Sequence, residues 1–339
     1  METFITQHWN KYLELFDESQ KDIYFFEEYV KLYESDVDQA YCIVCWESPN
    51  VILMPFLRRE ICDGYDFETA YGYGGMIVNT HNQQWIDRAI NVMWEQFKKE
   101  KYICGFIRFH PLLNNVKICK ECNAFYDRQT VVINTENSEE QIWREQITSK
   151  NRNMIRKAKK NGLEYKAEYD FQSLEEFKHL YNATMSRLEA DDFYFFDDKY
   201  YEEFISNLKG RAFLGTVRKE RKLICAALFM YSKDYGHYHL EGSDYSCSKF
   251  AANNFLLWET AIEFHKLGVK EFHLGGGYNS EPDNSLFKFK KSFSGNLRDF
   301  CIGKIIFNQE IYDEMKNKWQ QNNPTKMAEY GNLLLCYRY

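Results

Sequence analysis

The chain has 339 residues, 45% of them hydrophobic and 17% aromatic, with a formal net charge of −7. That length allows two domains with separate cores, and the apolar content excludes any long disordered span. The acidic balance excludes a DNA or RNA binder held by bulk positive charge. No apolar run is long enough to span a membrane, and the opening METFITQHWNKYLELF lacks a signal-peptide pattern, so the expected location is cytoplasmic.

Residues 1 to 34 carry two helical patterns, the second through Ile23, Phe26, Tyr29 and Val30. Tyr41–Trp46 and Val51–Arg59 flank Ser48-Pro49-Asn50 and predict a hairpin. Next come the glycine-rich run Thr69 to Gly75, a helix over 82–99, a strand over 102–109 and a closing strand over 131–134. The ten cysteines have no secretory context and are expected to be reduced thiols. Of the two CxxC pairs, Cys42/Cys45 and Cys119/Cys122, the first lies in an alternating strand pattern, which puts its thiols on opposite faces. Both are expected to be structural, with no metal site.

Ser138 and Gln141 form a capping-box pattern and start a helix, broken near Thr148, that runs to Gly162. Its second half carries Lys150, Arg152, Arg156, Lys157, Lys159 and Lys160 without an acid, and the expected use is a solvated face. Contact with tRNA or with an anionic membrane surface is the alternative. A second capping-box pattern at Ser173 starts a helix with Phe177, Leu180, Tyr181, Thr184 and Leu188 inward and Arg187 near its end. Strands over 211–218, 223–231 and 235–240 follow, then a polar loop, a helix over 253–266 ended by Gly268, and a strand over 270–274 stopped by Gly275, Gly276 and Gly277. The two halves share one order: hairpin, loop, helix, strand. That order predicts mixed α/β sheets.

The stretch from His239 to Gly295 organises the whole. A strand, a polar loop and a helix N-terminus bring free N–H groups and the helix dipole together, which suits an anion. Asn253 and Asn254 stand where N-caps are expected. The run Asn-Asn-x-Leu-Leu-x-x-x-Ala from Asn253, then Phe-His-Leu-Gly-Gly-Gly and Ser-Leu-Phe-Lys-Phe-Lys-Lys-Ser-Phe, resembles the FemAB-like family of the GNAT acyltransferase superfamily. Ser149-Lys-Asn-Arg-Asn-Met-Ile-Arg-Lys-Ala-Lys-Lys-Asn-Gly162 is similar to a second signature of that family. The likeness covers roughly 140 to 320 well and the first 135 residues in outline.

The resemblance implies two tandem GNAT-like domains, residues 1–136 on the acceptor side and 137–339 on the donor side. It implies an N-acyltransferase with no permanently bound cofactor and acyl-CoA as co-substrate, acting on an amine of a cell-envelope or amino-sugar precursor. Two alternatives stand beside this. One is an aminoacyl-tRNA-dependent transferase building peptidoglycan bridges on a lipid-linked or nucleotide-linked precursor, with at most peripheral membrane contact. The other is a non-catalytic binding module on the same scaffold. Carried over residue by residue, Lys290, after Phe289, stabilises the oxyanion at the donor carbonyl. Arg187 grips a phosphate or carboxylate of the acceptor, and Tyr71, Tyr73, Gly74 and Gly75 floor the acceptor groove. Lys249, Asn253, Asn254 and the three glycines are assigned to the donor. Among His239, Glu241 and Asp244, Glu241 is the expected base, with His273 a further group near the substrate.

Overall fold

The structure is a computed structural model that describes every residue except 120, 121 and 282. It divides into two compact units, Met1–Asp127 with Phe300–Tyr339, and Arg128–Asp299. The expected boundary at 136/137 differs from this division, because the last forty residues return to the first unit.

The first unit opens with β1 (Glu2–Thr6), followed by two one-turn helices, α1 (Asn10–Leu13) and α2 (Glu27–Val30). The two helical patterns expected over 1–34 are therefore only single turns, and the first residues pair with a strand instead. β2 (Asp38–Glu47) and β3 (Asn50–Ile61) form the expected hairpin, with β4 (Gly64–Glu68) beside β3 and the short β5 (Ile77–Val78) also pairing with it. Helix α3 (Gln83–Lys99), capped by Asn82, buries Trp85, Ile86, Ala89, Ile90, Met93, Trp94 and Phe97. These recur at the i, i+3, i+4, i+7 spacing of one helix face, so the pattern dictates the packed side. β6 (Tyr102–Arg108) then pairs parallel with β4. Cys42 and Cys45 are buried free thiols, whereas Cys119 and Cys122 are joined by a disulfide, against the reduced state expected of them.

β7 (Ala124–Asn134), which belongs to the second unit from Arg128 onward, is followed by α4 (Glu139–Gln141), where the capping box of Ser138 and Gln141 is formed. A π-helical turn (Ile142–Gln146) follows, and Thr148 caps α5 (Ser149–Lys160), so the break falls where the sequence placed it. β8 (Leu163–Glu168) leads to α6 (Leu174–Arg187). Ser173 is not its capping box: its hydroxyl and N–H both donate to the Glu168 carboxylate, at 3.0 and 2.9 Å. Leu188 lies beyond the helix and is exposed. After α7 (Asp198–Asn207) come β9 (Ala212–Lys219), β10 (Lys222–Tyr231) and β11 (Tyr235–Ser243), an antiparallel meander. Helix α8 (Ala252–Leu267) crosses over to β12 (Glu271–Gly275), which pairs parallel with β11 and antiparallel with β7. Gly268 ends α8 in the left-handed conformation, as expected. α9 (Ser285–Lys291) precedes β13 (Leu297–Ile306), whose later residues pair with β6 of the first unit. That unit closes with α10 (Gln309–Asn322) and α11 (Met327–Tyr330).

Meander, crossover helix and parallel return strand thus occur once in each unit: β2–β4, α3 and β6, then β9–β11, α8 and β12. The core of the second unit lies under α8, where Leu256, Leu257, Ala261 and Phe264 pack on Phe213, Phe229 and Phe272. Among the described residues, no helix is long and apolar enough to cross a membrane.

Candidate active site

β11 and β12 pair over only three residues each, Tyr235–His237 against Glu271–His273. β11 nevertheless continues to Ser243, paired on its other side with β10. The two parallel strands therefore separate beyond His237, leaving β11 unpaired toward β12. At the same place the register with β10 slips, since Leu228 faces Leu240 while Phe229 faces Tyr238. His239 is the extra residue of this bulge. One inserted residue inverts the alternation, so Tyr238 and Glu241, three apart, come to the same face.

Lys290 fills the opening. It is 8% exposed, its Nζ donates to the Gly276 carbonyl at 2.8 Å, and it stands 5.6 Å over the Tyr238 ring. Burial lowers its pKa to about 8, with the Glu241 charge acting the other way. Helix α9 aims the side chain because Asn284 caps its first turn and Phe289 and Phe293, edge to face at 5.4 Å, anchor its other side. Phe289 thus packs against the core and holds the helix in place. Lys288 pairs with Asp283 at the surface, and Lys291 is exposed.

Glu241 lies in the same opening. Burial raises its pKa, opposed by hydrogen bonds from Ser243, Cys225 and Asn253 and by the charge of Arg187. Asn253 Nδ2 donates to its Oε1 at 2.9 Å and the Cys225 thiol stands at 3.6 Å. A carboxylate of raised pKa and an ammonium of lowered pKa in one cleft make a matched acid–base pair. The other two candidates near β11 serve structure. Asp244 caps the turn before α8 and binds Lys222, which holds its carboxyl at about 2. His239 is held neutral by burial, at about 3, with its Nε2 2.6 Å from the Tyr200 hydroxyl.

Helix α8 starts at Ala252, one residue earlier than predicted. Ala251, in the left-handed conformation, takes the N-cap position and supplies no side-chain cap. Asn253 and Asn254 are therefore not caps. They sit in the first turn, where Asn253 binds Glu241 and Asn254 Nδ2 donates to Asn151 Oδ1 at 2.8 Å. Among the described residues nothing accepts from the N–H groups of Ala252, Asn253 and Asn254. An uncapped N-terminus of a long helix is a place for an anion. Lys249 is exposed just before it, its ammonium 5.1 Å from the Phe250 ring.

The three glycines have packing reasons. Gly275 adopts a positive φ, a Cβ on Gly276 would meet the Gln129 carbonyl at 2.9 Å, and one on Gly277 would strike Asn284. Gly276 also contributes its carbonyl to Lys290. His273 is buried in the sheet, its ring 5.6 Å from that of His237, so it does not line the opening. Arg187 ends α6, exposed, with its guanidinium 4.9 Å from the Tyr245 ring. In the first unit, Tyr73 packs edge to face on Tyr24 and Phe300, and the Tyr71 carbonyl accepts from the Tyr29 hydroxyl at 2.7 Å. Gly74 and Gly75 lie tight against Thr69 and Phe109.

The second unit thus gathers Lys290, Glu241, Asn253 and Gly276 from the predicted set. Tyr238 and Cys225 were missed. A strand bulge carries no sequence signal here, so alternation alone gives no reason to set Tyr238 on the face of Glu241.

Residues 149–291 match the family model described as an acetyltransferase (GNAT) domain. This match, with the splayed strands, identifies residues 149–291 as an acetyltransferase (GNAT) domain, and the duplicated topology gives the chain as a whole a FemAB-like fold. It is similar to FemX at 15% identity, covering 93% of this chain and 99% of that one, with a TM-score of 0.73. A tandem GNAT protein from the clavulanic acid biosynthesis pathway follows at 8% identity, 89% and 98% coverage and a TM-score of 0.51. L-PGS from Bacillus licheniformis matches at 12% identity, 76% and 82% coverage and a TM-score of 0.51. At these identities the likeness is one of fold. Comparison with curated proteins finds no match.

Proposed function

We propose that this protein transfers an acyl group from acyl-CoA to an amine of a cell-envelope or amino-sugar precursor. The observation that carries the reading is Lys290, a nearly buried ammonium in a cleft opened by the parting of β11 and β12. A donor whose phosphates sit on the free N–H groups of α8 runs its acyl end into that cleft. The amine attacks the thioester carbonyl, the C–N bond forms, and the electron pair moves to oxygen. Lys290 then stabilises the oxyanion, an interaction worth about 2.7–4 kcal/mol by analogy with other oxyanion donors. Glu241 takes the proton from the amine. Collapse of the intermediate expels the CoA thiolate, which acquires a proton, and leaves an amide. Direct transfer of this kind requires no covalent enzyme intermediate. Arg187 suits a phosphate or carboxylate on the acceptor, and the placing of acceptor at Tyr71–Gly75 rests on the family resemblance.

A second reading, an aminoacyl-tRNA donor, is favoured by the near full-length likeness to FemX. Calorimetry with acetyl-CoA, beside charged and uncharged tRNA, separates the two. Micromolar-range acetyl-CoA binding supports the first reading. Absence of CoA binding with preference for charged tRNA replaces it by the second.

A further inference from the structure

A groove of about 440 Å³ lies in the second unit, lined by Glu139, Glu140, Trp143, Arg156, Lys159 and Trp258. Its volume falls in the range of small-ligand sites. The π-helical turn presents Trp143, and Arg152 holds that turn by donating to the carbonyls of Trp143, Arg144 and Ile147 at 3.1, 3.2 and 2.6 Å. Such turns recur at functional sites. Trp143 meets Trp258 edge to face at 4.8 Å, and Arg156 stands 5.3 Å over the Trp143 ring. The Trp258 indole N–H is buried and, among the described residues, has no hydrogen-bond partner, an unusual state for a donor.

The charges around this groove divide usefully. Glu140 is neutralised by Arg144 at 2.8 Å. Among the described residues Arg156 gives one hydrogen bond, to Asn153 at 3.0 Å, leaving other donors of its planar fork. Lys159 pairs with Glu259 at 2.9 Å on an exposed face, a weak contact that a phosphate can displace. Glu139 is an exposed acceptor at the rim. Indole and guanidinium surfaces, two cations and one acceptor suit a nucleobase bearing an exocyclic amine and a phosphate.

The groove is also in reach of the donor's phosphates. Trp258 lies about 9 Å of helix rise beyond the free N–H group of Ala252. Asn254 and Asn151 tie the first turns of α8 and α5 together, so these two helices form one continuous edge. We propose that this groove holds the adenosine nucleotide at the far end of the acyl donor. The proposal rests on the donor reading above. Adenosine is common to CoA and to the 3′ end of tRNA, so the groove serves either donor.

The test is calorimetry on the full chain, with CoA against 4′-phosphopantetheine, and an uncharged oligoribonucleotide ending in CCA against one ending in CCU. The expected result is about tenfold tighter binding of the adenosine-ended member of one pair. Arg156→Ala and Trp143→Ala erase that ratio without changing 4′-phosphopantetheine binding. Arg156 is exposed, so its variant keeps the fold if Trp143→Ala does not. Whichever pair shows the ratio identifies the source of the adenosine. A ratio that persists in Arg156→Ala overturns the groove, as does equal wild-type binding within both pairs. CoA binding that is insensitive to both variants leaves the CoA donor reading standing while the groove falls. Failure to bind any of the four probes removes both.

Discussion

At the residue scale, Lys290 carries opposed demands. Its fall from 10.5 to about 8 corresponds to a cost of order 3 kcal/mol for holding the charge in the fold. That cost is present below pH 8 and fades as pH rises from about 8 through 10.5, so the group contributes to stability only in its neutral form. Lys290→Met is therefore predicted to keep or gain stability at pH 7 in urea unfolding, while turnover falls by about 10²–10³-fold. A variant that loses stability in step with turnover would give the lysine a structural role instead.

The pH profile belongs to the same scale. Under the proposed mechanism transfer needs ionised Glu241 and protonated Lys290, so the acid limb is expected above the ordinary carboxylate range and the alkaline limb near pH 8. Lys290→Arg should push the alkaline limb outward, because guanidinium stays protonated. An unmoved limb would assign it to another group. Asp244 contributes with the opposite sign: its carboxyl is depressed, so its support is full above about pH 4 and lost as pH falls toward 2.

At the scale of elements, β11 is held between α6 and α8 by positions that allow no substitute. A Cβ on Gly242 would lie 2.4 Å from the Tyr181 backbone nitrogen, and a backbone atom cannot swing aside. Gly242→Ala is predicted to cost about 1–3 kcal/mol in urea unfolding, and a neutral result would show that α6 can shift. Asn253 links the start of α8 to Glu241. Since its hydrogen bond lowers that carboxyl's pKa, Asn253→Ala should move the acid limb to higher pH with donor affinity unchanged. Lost donor affinity with an unmoved limb would return Asn253 to phosphate binding.

Most elements were legible in the sequence because their hydrophobic period is strong. Helix α3 shows it in its buried face, and the hairpin of β2 and β3 in its long apolar runs around Ser48-Pro49. The N-terminal strand was not legible: Phe4 and Ile5 make too short an alternation, and β1 exists because β2 offers it a partner. The start of α8 was misplaced because Asn253 and Asn254 resemble caps, yet their amides turn to Glu241 and Asn151. Lys290 was singled out by its motif, whereas the position of Tyr238 depends on a bulge that only strand pairing creates.

At the scale of the whole molecule, the chain closes on itself through a contact no local pattern reveals. Arg338, 6% exposed in its side chain, donates to both oxygens of the fully buried Asp66, at 2.6 and 3.1 Å, and also binds Glu68. The Tyr337 hydroxyl adds a bond to Asp66 at 2.8 Å. Partners 272 positions apart cannot be matched from sequence, which is why the boundary at 136/137 omitted the returning segment. Arg338→Ala leaves a buried carboxylate without its main partner, and the first unit should lose about 3–5 kcal/mol, read by urea unfolding. A cost under about 1 kcal/mol would mean that water reaches Asp66.

The most direct test of the account is a crystal structure with acetyl-CoA bound. The pyrophosphate should lie on the N–H groups of Ala252, Asn253 and Asn254, with the thioester carbonyl oxygen about 3 Å from Lys290 Nζ, between β11 and β12. A thioester outside that opening, or pointing away from Lys290, would contradict it.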